Sequence, residues 1–122
     1  SNCENAITVS AFGPADTMAY FSNWGAKIDV AAPGVDILSL RAAGTGSDTK
    51  AIGGKYYRMS GTSMACPHVA GLAALILSKD PARTPDEVRQ ILRTSSADLG
   101  AEGRDDYSGY GMIDAYAALQ IG

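Results

Sequence analysis

The residues best equipped for chemistry lie in one run, Gly61-Thr62-Ser63-Met64-Ala65-Cys66-Pro67-His68-Val69-Ala70-Gly71. The run follows a strand-like segment, Lys55-Tyr56-Tyr57-Arg58-Met59, and leads into a stretch from Val69 to Leu77 that is apolar except for Gly71. A serine at such a strand-to-helix junction stands among helix-start N–H groups that lack partners, where the helix dipole favours negative charge. An oxyanion formed when the Ser63 hydroxyl attacks a carbonyl would be stabilised there, in part by the N–H of Ser63 itself. Gly61, lacking a Cβ, permits a sharp turn and the close approach of a substrate backbone, and Pro67 is tolerated in a first helical turn. Spacing alone does not separate this role from that of an ordinary helix cap, which is the commoner use of a serine at such a place.

Two neighbours compete for chemical roles. His68 is the one histidine of the chain. Five residues along a helix are about 7.5 Å of rise and about 500° of rotation, which turns His68 about 140° away from Ser63. The two cannot share the short hydrogen bond that a nucleophile and its base require, and His68 reads as a packed structural residue. Cys66 follows Ser63 by one turn and is a second candidate nucleophile, yet it too lacks a base nearby in sequence. Its place in a segment that reads as a buried helix makes it a small hydrophobe, and Cys3 and Cys66 are expected as free thiols.

These residues need elements to hold them. Ala6 to Ala11 is short, rich in β-branched residues and ends at Gly13-Pro14, as a buried strand should. Lys27 to Ala31 and Val35 to Leu40, separated by Ala32-Pro33-Gly34, predict two more strands, and Lys55 to Met59 a fourth. Residues 42–54 are dominated by Gly, Thr, Ser, Asp and Lys and predict a mobile surface loop. Val69 to Leu77 predicts a helix buried all round. Thr84, Pro85 and Glu87 form the pattern of a capping box with proline at the first helical position. Val88, Ile91 and Leu92 then give that helix one apolar face. After the turn at 107–111, residues 112–119 predict a closing helix with Ile113, Tyr116 and Ala117 inward. Strands interleaved with helices make an α/β layered architecture.

At 122 residues and 46% hydrophobic, the chain suits one domain-sized core. Ten Lys and Arg against thirteen Asp and Glu, with no run of like charge, give no reason to expect nucleic-acid binding. No apolar run approaches the roughly 20 residues that span a bilayer, so no membrane span is expected, and no targeting segment is visible. Two cysteines and one histidine argue against a zinc site of Cys and His ligands, and no metal ligands are assigned.

GTSMACPHVAG resembles the serine signature of the subtilisin-like serine proteases (subtilases, peptidase S8). The similarity extends through Asn5-Ala6-Ile7-Thr8-Val9, Phe21-Ser22-Asn23-Trp24-Gly25, Asp29-Val30-Ala31-Ala32-Pro33-Gly34 and Gly109-Tyr110-Gly111-Met112-Ile113-Asp114-Ala115. The resemblance implies that residues 1–122 are the C-terminal part of a three-layer α/β/α fold with a mostly parallel sheet. It also implies a secreted endopeptidase acting on polypeptides by acyl transfer, with Ser63 as nucleophile. Ser60, Gly61, Thr62 and Met64 would then line the substrate site, Met64 on the leaving-group side. Calcium is common in the family, but the resemblance assigns no site.

In that family the triad runs Asp, His, Ser along the chain, so the first two should precede Ser63. Asp16-Thr17-Met18 lacks the expected glycine, His68 follows the serine, and no asparagine stands in the context of the family's oxyanion residue. The chain alone is therefore expected to be inactive, with His and Asp supplied by a preceding part of a longer protein. The rival expectation is a non-catalytic scaffold or binding module. A piece cut from a larger sheet would expose an edge and a helix face, so self-association is expected. Ser1-Asn2 fit the family poorly and read as an expression scar. Residues 42–54 look longer than the family's shortest version of that loop, either as a surface insertion or as a border of the cleft.

Overall fold

The structure is a computed structural model that describes residues 3–42 and 51–122. At its centre two parallel strands, β1 (Val9–Phe12) and β2 (Val30–Pro33), pair from Val9 with Val30 to Phe12 with Pro33. Ser10, Ala11, Val30, Ala31 and Ala32 are fully buried, as small and β-branched residues of a strand covered on both faces should be. The parallel arrangement continues through the chain near Met112: Ala31 N–H donates to Gly111 O (2.8 Å), and Ile113 N–H donates to Ala31 O (3.0 Å).

Three further strands form a separate antiparallel sheet in the order β3 (Ile37–Leu40), β5 (Tyr56–Met59), β4 (Ala51–Ile52). The expected loop over 42–54 is thereby corrected, because Ala51 and Ile52 pair with Tyr57 and Tyr56. Residues 43–50 of that expectation, and Ser1-Asn2, lie outside the described residues. The aromatic side chains of β5, Tyr56 and Tyr57, give Ala51 and Ile52 a template that composition alone did not reveal.

Helix α1 (Thr62–Lys79) packs Ala65, Val69, Leu72 and Ile76 against β1 and β2. The expectation of a helix buried all round fails here. Ala70, Gly71, Ala74, Leu75 and Leu77 are exposed, Leu75 by 49%, because within these residues the strands cover only one face. Helix α2 (Pro85–Ser95) has the anticipated capping box: Thr84 N–H donates to Glu87 Oε2 (2.7 Å), and Glu87 N–H donates to Thr84 Oγ1 (3.3 Å). Val88, Ile91 and Leu92 are its buried face. The closing helix, α3, is shorter than expected, Ala115–Gln120. Asp114 caps it by accepting from Ala117 N–H (2.9 Å), Ala118 is buried, and Tyr116 points outward at 77% exposure. Met112 and Ile113 are instead used in bridging to the strands.

The turn before α3 is locked to the centre. Gly109 has φ of 64°, and a Cβ there would lie 2.3 Å from Asp29 O, so only glycine fits. The turn is organised by Asp105, whose carboxylate accepts from the N–H groups of Tyr107 (2.7 Å) and Ser108 (2.8 Å) and from the Ser108 hydroxyl (2.9 Å). Burial pushes the Asp105 carboxyl up, but the N–H donors of Ser108 and Tyr107 and the Ser108 hydroxyl outweigh it and hold it below the usual carboxylate range. Bonds from the N–H and hydroxyl of Thr84 lower Glu87 in the same direction. A depressed carboxyl stabilises the fold above the unfolded pKa, near pH 4, and loses that contribution as pH falls through the lowered native value. Hydrogen exchange at the Tyr107 and Ser108 amides, corrected for intrinsic rate, should therefore lose protection below about pH 4. Protection that is constant down to about pH 2 would refute this.

Candidate active site

Strand β5 delivers the chain into Ser60 and Gly61, and α1 begins at Thr62. Gly61 caps the helix with no side-chain hydrogen bond, and the first turn contains no acidic residue. The amides of Met64 and Ala65 close on Gly61 O (3.0 and 3.3 Å). Among the described residues no acceptor takes the N–H of Ser63. The helix start thus keeps an open donor beside the serine hydroxyl, the arrangement that would hold an oxyanion.

Pro67 stands inside α1, as its sixth residue and not in its first turn as expected. Having no N–H, it leaves the carbonyl of Ser63, four residues earlier, without the usual helical donor. Gly61 is fixed by donating its N–H to Gly34 O (2.8 Å). A Cβ on Gly34 would lie 2.6 Å from Ala11 Cβ and 2.9 Å from Gly61 O, so the approach of the β2 exit to the helix start depends on that glycine. The same test at Gly61 meets Met64 Sδ only at 3.4 Å, and its φ of 161° is ordinary extended backbone, so the turn does not demand glycine there.

Ser63 is exposed on a crest between two grooves. The larger, of about 1060 Å³, is bordered by Asn23, Trp24, Thr62 and Cys66. The smaller, of about 560 Å³, is bordered by Leu38, Met59, Met64 and His68. Ser63 and Pro67 belong to both. The structure therefore brings Thr62, Ser63 and Met64 together, with Thr62 and Met64 on opposite sides. Ser60 faces a third hollow, of about 610 Å³, with Tyr20, Phe21 and Arg58, and Gly61 borders none of the three.

His68 is exposed and not packed as expected; its Nδ1–H donates to Met64 O (2.8 Å). That bond directs the ring along its own helix. Cys66 is likewise exposed, contrary to the expectation of burial, because it stands on the uncovered side of α1; among the described residues neither it nor Cys3 is part of a disulfide. Among the described residues no three of His, Cys, Asp and Glu come together in a way that could hold a metal ion. No helix among them is long and apolar enough to cross a membrane. Sequence reasoning missed two features. The rim formed by Asn23 and Trp24 was signalled only by the segment Phe21 to Gly25. The bonds joining Asp36, Arg58 and Ser60 left no trace in spacing.

Comparison with known proteins decides the family: the subtilase family, peptidase S8, matches residues 1–111. The chain belongs to it. This subtilase chain is 43% identical over 116 residues to a thermophilic serine proteinase of Bacillus sp. strain AK1, a match covering 95% of the chain and 25% of the relative. It is equally similar to a subtilisin of Bacillus pumilus, of which it covers 38%. Its fold matches fervidolysin of Fervidobacterium pennivorans, a keratinolytic enzyme related to subtilisin, with TM-score 0.86 and 35% identity over 97% of the chain and 19% of that protein. A lanthipeptide protease gives TM-score 0.91 at 27% identity, with 99% of this chain and 44% of that one covered. The subtilase chain thus spans less than half the length of each of these relatives, from 19% to 44%. Its α/β architecture is that of subtilisin-like proteases.

Proposed function

We propose that residues 1–122 are the C-terminal part of the catalytic domain of a serine endopeptidase and that Ser63 is its nucleophile. The observation that carries the reading is Ser63 itself, exposed on the crest between two grooves beside its own N–H, which no acceptor among the described residues takes. A polypeptide lying across the crest presents its carbonyl to Ser63 Oγ. The Oγ–C bond forms while the hydroxyl proton passes to a histidine, which returns it to the leaving amine; water then cleaves the acyl-enzyme. This mechanism is the known one for the family. Thr62 borders the acyl side and Met64 the leaving side.

The base is not His68, which stands five residues further along α1 and is turned about 140° away from Ser63 by the helix rotation. Histidine and aspartate come from a preceding part of a longer polypeptide that also covers the exposed face of α1. The names of relatives support the substrate class, and one 40% identical relative, an extracellular basic protease of Dichelobacter nodosus, supports secretion.

The 122-residue chain alone should remain unlabelled by a fluorophosphonate probe and associate with itself through the uncovered α1 face. The longer protein should label stoichiometrically at Ser63. Labelling of the short chain or a clean monomer in light scattering would contradict the respective claim. An unlabelled longer protein would mark a non-catalytic scaffold.

A further inference from the structure

We infer that Ser60, clasped by Asp36 and Arg58, positions the turn that carries Ser63, an inference that rests on the nucleophile assignment above. Helix α1 has no side-chain cap, so its own start does not fix the direction of its first turn. The two residues ahead of it are tied sideways instead. Gly61 N–H donates to Gly34 O (2.8 Å), and Asp36 N–H donates to Ser60 Oγ (2.8 Å). Asp36 holds φ of 55°, a left-handed conformation that is uncommon outside glycine and that Asp adopts more readily than most residues.

Arg58 braces that loop by donating to both the Asp36 carbonyl (3.1 Å) and the Asp36 carboxylate (3.0 Å). Arg58 lies two residues before Ser60, so a closed ring of bonds runs from Arg58 to Asp36 to Ser60 just ahead of the nucleophile. The Arg58–Asp36 pair is exposed, with side chains 46% and 65% accessible, and such pairs add little stability. Its effect is geometric. The Ser60 hydroxyl oxygen is engaged by Asp36 N–H and turned toward the hollow with Tyr20, away from both grooves that meet at Ser63. Ser60 acts through the backbone on the placement of Ser63, and so is a positioning residue and not a wall of the cleft.

The test uses the longer protein, with rates normalised by active-site titration. Ser60→Ala should lower kcat and the rate of fluorophosphonate labelling at Ser63 by about tenfold, with KM within about twofold, because misplacement of a nucleophile acts on the chemical step. Ser60→Thr keeps the acceptor oxygen and should recover to within about threefold of the natural rate. Asp36→Gly keeps the N–H bond and accepts the left-handed φ, and should likewise remain within about threefold. A wild-type labelling rate in Ser60→Ala, a loss confined to KM, or a Ser60→Thr variant as slow as Ser60→Ala would each overturn the inference. Should Ser63→Ala retain activity, the nucleophile assignment falls and this inference with it. Should Ser63→Ala be inactive while Ser60→Ala runs at full rate, only the positioning role falls.

Discussion

Replacing Ser63 by alanine in the longer protein is expected to lower kcat against a peptide substrate by at least about four orders of magnitude while KM changes little. A loss of that size is usual for serine proteases deprived of their nucleophile. The direction follows from the site. Removing Oγ deletes the atom that forms the acyl bond but leaves the Ser63 N–H, the crest and both grooves in place. Binding energy that does not depend on the new bond persists, so the loss belongs in kcat. Steady-state kinetics with a chromogenic peptide checks this, and a Ser63→Ala variant within tenfold of the natural rate would remove the serine from the mechanism.

The second large effect concerns Asp29, whose side chain is 5% exposed. Its carboxylate accepts from Thr8 N–H (2.7 Å) and from two nitrogens of Arg93, the Nε contact being 2.9 Å. The Arg93 guanidinium in turn lies 5.1 Å from the centre of the Tyr110 ring. One side chain therefore ties the entry of β1, the entry of β2, helix α2 and the closing turn. Removing one partner of a buried pair typically costs about 3–5 kcal/mol, chiefly because the other partner is left uncompensated. Arg93 is 30% exposed and reaches water, so Asp29→Ala is expected near the lower end, about 3 kcal/mol. For a chain of this size that corresponds to roughly 10 °C in the midpoint of thermal unfolding. Asp29→Asn, which still accepts from Thr8, should lose less. A drop of under about 2 °C in Asp29→Ala, followed by circular dichroism, would show that the tie is not needed.

The parts of the fold set by local rules were legible in the sequence. The capping box at Thr84 and the face of Val88, Ile91 and Leu92 are decided by neighbours three and four residues apart, and both appear as read. Ser63 was legible for a different reason, since its run resembles a family signature that covers eleven contiguous residues. What could not be read depends on partners distant in sequence or outside these residues. Val69 to Leu77 carries the composition of an enclosed helix, yet only the Val69, Leu72 and Ile76 side is enclosed here. The pattern records a cover that these residues do not provide. Ala51 and Ile52 are too short a run, followed by Gly53 and Gly54, to read as a strand, and they become one because Tyr56 and Tyr57 are beside them. Asp29 gave no sign of its partner because Arg93 lies 64 positions away.

That separation also bears on how quickly the chain reaches its native state. The central strand pair is anchored by Arg93, by the bridge from Ala31 to Met112 and by Gly109 against Asp29. Each of these closes a long loop, and loop closure precedes any gain from the contact. Early in folding, β1 and β2 have only each other and α1 to hold them. The final third of the chain then acts as the latch, so folding should be slow for the chain's length, and truncation before Met112 should leave the strands paired only transiently.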